Sequence, residues 1–110
     1  MAYCRTQLPV SVPIQDLDGL IAELIRGIGM QVERQPDHRD WLIGTEPPQP
    51  ALRANEHVTL LCDWSNLRNT GELTIETRSG ESMAHACTRA QLLFQQFCGT
   101  VLGPLGGSGD

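Results

Sequence analysis

Lysine is absent from this 110-residue chain; all eight of its basic residues are arginine. A Schiff base, a Walker A phosphate loop and a catalytic lysine base are excluded with it. The arginines (Arg5, Arg26, Arg34, Arg39, Arg53, Arg68, Arg78 and Arg89) are scattered, no two are adjacent, and the net charge is -5. The basic stripe that phosphate backbones demand is therefore missing, and nucleic acid is not an expected partner. Anionic membrane surfaces are disfavoured on the same ground.

Other absences narrow the field further. The longest apolar stretches, such as LIAELI at 20–25, are interrupted by charge and too short to cross a bilayer. The N-terminus lacks the basic region followed by a continuous apolar run that a secretory leader needs, so a cytoplasmic address is expected. No CxxC, HExxH, GxSxG or GxGxxG occurs. Cys4, Cys62, Cys87 and Cys98 show none of the close pairing of zinc ligands, and no metal or cofactor is implied.

What is present fits one ordinary domain with one core: 40% hydrophobic residues and a mean hydropathy of -0.21. CRTQLPVSV (4–12) alternates as a half-buried strand, and Pro9 assigns it to a sheet edge or to the end of its pairing. From Pro13, the apolar residues Ile14, Leu17, Leu20, Ile21, Leu24, Ile25 and Ile28 mark one face of a helix, stopped by Gly27 and Gly29. MQVER (30–34) and WLIGT (41–45) read as a hairpin around the turn cluster PDHRD (36–40). EPPQPALRANE (46–56) reads as a surface loop. HVTLLCDW (57–64) and ELTIETR (72–78) then form a second hairpin around SNLRNTG.

A last helix is expected from about Ser82 to Leu102. Its apolar face would carry Met83, Ala86, Cys87, Ala90, Leu93, Phe94, Phe97, Cys98, Val101 and Leu102. Residues 1–102 make a single domain in this reading, and 103–110 a flexible Gly-rich tail. The order β-α-β-β-β-β-α predicts an α+β two-layer sandwich: a mainly antiparallel sheet, both helices on one face, the other face open. Helix, several strands, then helix is similar in topology to double-stranded-RNA-binding domains. Those domains meet phosphates through lysine clusters, so the likeness implies nothing about function here.

The stretch CDWSN (62–66) gathers five groups that catalytic sites use. Strand parity breaks the cluster up. Matching the apolar sets of the second hairpin places Cys62 beside Leu73 or Ile75 in the core and turns Asp63 to the opposite face. Ser65 and Asn66 read as turn residues and Trp64 as a core-edge filler, so no catalytic residue is assigned. His38, His57 and His85 occupy a turn, a strand start and the polar side of the last helix, where histidines are ordinarily solvated. RSGES (78–82) precedes that helix and offers amides to an anion, a reading set against simple capping.

The open sheet face remains. His57, Leu61 and Asp63 lie beside Glu72, Glu76 and Arg78, with Glu33 and Leu42 placed nearby. Isolated apolar anchors among charges suit a protein partner or a second copy of the chain. The expectation is a non-enzymatic interaction or assembly module. The alternative is a small-molecule binder or minor enzyme with a pocket between helices and sheet, and Trp41, Trp64 or Arg68 at its mouth. A divalent cation on Asp63, Glu72 and Glu76, and thiol-based redox sensing, are weighed below these.

Overall fold

The computed structural model describes residues 1–34, 40–82 and 88–102. A five-stranded antiparallel sheet runs in the order β1-β5-β4-β3-β2. Its strands are β1 (Ala2–Pro9), β2 (Gln31–Glu33), β3 (Trp41–Thr45), β4 (Thr59–Asp63) and β5 (Glu72–Ser79). Helix α1 (Ile14–Gly27) carries the chain from the β1 edge to the β2 edge, and β2 to β5 return as a meander. A single helical turn, α2 (Leu67–Thr70), links β4 to β5, and α3 (Arg89–Leu102) follows β5.

The α+β two-layer reading holds. Leu17, Ile21, Ala22 and Ile25 of α1 and Leu93, Phe97 and Val101 of α3 share one core with Leu42, Leu60, Cys62, Leu73 and Ile75 of the sheet. Both long helices thus cover the same face, α1 above β2 and β3, α3 above β1 and β5. The approach of α1 is set at Gly44, where an added Cβ would stand 2.8 Å from Ile25 Cγ2. Pro9 ends β1, which is an edge strand, so its missing amide costs the sheet no bond.

Two expectations are corrected. Leu42, assigned to the open face, is 2% exposed beneath α1, and its neighbours Trp41 and Ile43 face outward instead. In WLIGT both parities are apolar, so alternation cannot choose a face; close packing at Gly44 does. The last helix begins at Arg89, since Ser82 and Thr88 are both non-helical. Thr88 Oγ1 accepts the Gln91 amide at 3.1 Å as an N-cap, and the Glu81 carboxylate accepts the amides of Arg89 (2.8 Å) and Ala90 (3.3 Å). The helix N-terminus is thus occupied by the chain's own acid, which leaves no such place for an outside anion.

Glu81 is balanced accordingly. Partial burial opposes its charge, but the Ser79 hydroxyl, the two amides and the Arg89 charge outweigh that and hold its carboxyl below the usual range. Arg89 also binds the Glu46 carboxylate and donates to the Glu56 carbonyl at 3.2 Å. These bonds pin the 46–56 connection against the start of α3. His38, Met83, His85, Ala86, Cys87 and the 103–110 tail lie outside the described residues, as does most of the PDHRD turn.

Candidate functional site

CDWSN is the end of a strand entering a turn. Cys62 pairs with Ile75 across β4 and β5 and is fully buried, while Asp63 pairs with Thr74 on the other face. Asp63 Oδ1 accepts the Ser65 amide at 2.8 Å, an Asx turn, and the Leu67 amide reaches the Trp64 carbonyl at 3.1 Å to start α2. Gly71, at φ 70°, closes that turn in the left-handed region and admits β5. Burial, reinforced by nearby Cys98, raises the Cys62 thiol far above its ordinary pKa. Cys98 is raised too, by burial and then by Cys4. Neither sulfur is poised as a nucleophile, because the thiolate is the reactive form.

Among the described residues, the uncovered face of the sheet is where most of the candidate residues come together. Register sets its side chains in rungs across the sheet. The central rung is Glu33, Ile43, Leu61, Glu76 and Arg5, on β2, β3, β4, β5 and β1 in turn. On one side of it run Trp41, Asp63, Thr74 and Gln7, and on the other Gln31, Thr45, Thr59, Arg78 and Tyr3. Trp41, Ile43 and Leu61 are adjacent and half-buried, and they form the apolar wall of a groove of about 320 Å³. Thr59, Asp63, Glu76 and Arg78 complete its lining.

Within the groove Glu76 and Arg78 balance each other, and Asp63 is in none of the ion pairs among the described residues. Arg78 Nε donates to Glu76 Oε2 at 2.6 Å, and its guanidinium lies 5.5 Å from the centre of the Tyr3 ring. Glu76 is only 7% exposed although it belongs to the open face, because Leu61 and Arg78 flank it. Its burial is tolerable because the charge is paired. The sequence signal for this pair is Glu-x-Arg on one strand, which puts both residues on one face.

Of the six residues expected on this face, Leu61, Asp63, Glu76 and Arg78 line the groove. Glu72 is half-buried at the far end of β5 beside Pro9. His57 is half-buried and precedes β4, at the end of the short 3-10 turn Ala54–Glu56. The three residues of the pocket alternative are not brought together. Trp41 faces the groove, Trp64 is 4% exposed in the core, and Arg68 is exposed on α2. Sequence reasoning missed Ile43 as an anchor.

Among the described residues, no three or more His, Cys, Asp or Glu side chains are arranged to hold a metal ion. No described helix is long and apolar enough to cross a membrane. Compared with known proteins, the chain matches no family model, and no curated protein matches its sequence.

Proposed function

We propose that this chain is a non-enzymatic interaction or assembly module of the cytoplasm that binds protein through the uncovered face of its sheet. The observation that carries the reading is the contiguous apolar wall of Trp41, Ile43 and Leu61, half-buried, with charges at its margin. An apolar centre with an aromatic anchor and a polar rim is the ordinary anatomy of a protein interface. The buried Cys62 thiol, its pKa raised by desolvation, and an Asp63 carboxylate that accepts the amide of its own turn argue against catalysis by CDWSN.

The test is a matched capture experiment on immobilised wild type and Leu61→Asp. Proteins from a native lysate, this chain included, should be retained by the wild type and lost by the variant, while the melting temperatures stay within a few degrees. Identical retention would remove the reading. A second reading, small-molecule binding, is favoured by the concavity of about 320 Å³ beside an indole, close to the lower limit of ligand pockets. It requires a compound whose thermal stabilisation of the wild type disappears in Trp41→Ala.

A further inference from the structure

Resting on that reading, we infer that the partner of the open face is a second copy of this chain, packed sheet to sheet about a two-fold axis parallel to β4. The central rung carries the inference. From one edge of the sheet to the other it reads Glu33, Ile43, Leu61, Glu76, Arg5, acid at one end and base at the other. Strand β4 is the middle strand of five, and Leu61 is the middle residue of β4. A two-fold axis along β4 sets Leu61 against Leu61 of the partner subunit. The same rotation exchanges the two edges of the sheet, so Arg5 meets the partner's Glu33 and Glu33 meets the partner's Arg5.

Arg5 and Glu33 are suited to this role. Both are exposed, and neither forms an ion pair with any described residue. Arg34, next to Glu33, binds Asp18 of α1 and offers it no charge. Four strand spacings of about 4.8 Å put Arg5 and Glu33 roughly 19 Å apart within one chain, too far to pair there. The apolar rung also finds tolerant neighbours. Ile43 lies over the partner's Glu76, whose charge its own Arg78 holds, and Trp41 lies over the partner's Thr74.

An axis perpendicular to the strands would instead oppose Arg5 to Arg5, Glu33 to Glu33 and Glu76 to Glu76. The parallel axis imposes a single like-charge meeting among the described rungs, Asp63 with Asp63 of the partner subunit. Isologous pairing is the common form of homo-oligomer, and packed sheets keep their strands within about 30° of parallel. A face five strands wide and three rungs deep measures roughly 24 by 20 Å. Counted over both partners that is roughly 960 Å², below the about 1,200 Å² of stable interfaces, so a weak, concentration-dependent dimer is expected.

Sedimentation of the full chain from about 1 to 100 µM tests the inference. The wild type should move from monomer to dimer. Arg5→Glu and Glu33→Arg should each weaken the dimer about tenfold, since each reverses two symmetry-related contacts. The double variant should recover, and an equimolar mixture of the two single variants should form a heterodimer where each alone is monomeric. Asp63→Asn, which keeps the acceptor for the Ser65 amide, should tighten the dimer several-fold. A wild type that stays monomeric throughout, or a double variant no tighter than the singles, would overturn it. If the wild type is monomeric while lysate capture still depends on Leu61, this inference falls and the interaction reading stands. If Leu61→Asp changes neither, both fall.

Discussion

The two faces of the sheet are made by alternate residues of the same strands, yet they are built to opposite specifications. Beneath the helices, Leu42, Leu60, Cys62, Leu73 and Ile75 are essentially inaccessible to water, and the buried hydroxyl of Thr77 beside them donates to the Ala90 carbonyl at 2.8 Å. On the other side, Trp41, Ile43 and Leu61 are half-buried and stand among Asp63, Glu76 and Arg78. Folding free energy comes mainly from area removed from water on the covered face, while the open face leaves apolar area half accessible.

The comparison can be broken most forcefully from the covered side. Phe97→Ala, at a fully buried position of α3, should cost about 3–5 kcal/mol in denaturant unfolding, and a loss below 1 kcal/mol would contradict the core assignment. Gly44→Ala pushes a methyl into Ile25 and should cost about 1–3 kcal/mol, and the double variant with Ile25→Ala should lose less than the two single losses combined. Cys62 should resist a thiol reagent until the chain unfolds, with labelling and unfolding rates coinciding.

A smaller effect is expected at the edge of the two layers. Because the folded-state pKa of Glu81 is lowered, its stabilising contribution is complete above the ordinary carboxylate range and is lost as pH falls through the lowered value. In Glu81→Gln, melting temperature should therefore fall less steeply under acid than in the wild type. The smallest effect sharpens the contrast: Leu61→Thr on the open face should change stability by less than about 0.5 kcal/mol while weakening association. A loss of several kcal/mol there would show that the two faces are not functionally distinct.

Most of the layer plan was legible in the sequence because periodicity reports burial directly. The stripe from Leu17 to Ile25 identified α1, and the parity of β4 and β5 placed Cys62 beside Leu73 or Ile75, of which the register selects Ile75, and Asp63 on the opposite face. Where both parities are apolar, as in Trp41, Leu42 and Ile43, the pattern is silent and the site lost an anchor. The start of α3 was misread because spacing records apolar residues and not the capping by Glu81 and Thr88 that fixes the first turn. Strand order was illegible, since β1 finds β5 through a pairing that spans most of the chain.

That last pairing has a consequence for how the molecule comes into being. Strands β2 to β5 each pair with a strand next to them in sequence, but β1 has the distant β5 as its sole ladder partner among the described residues. On the ribosome it must therefore wait, unpaired, until residues up to Ser79 have emerged. Of these five strands, the earliest in sequence is thus the last to find its native neighbour, and Arg5 joins the central rung only at that step.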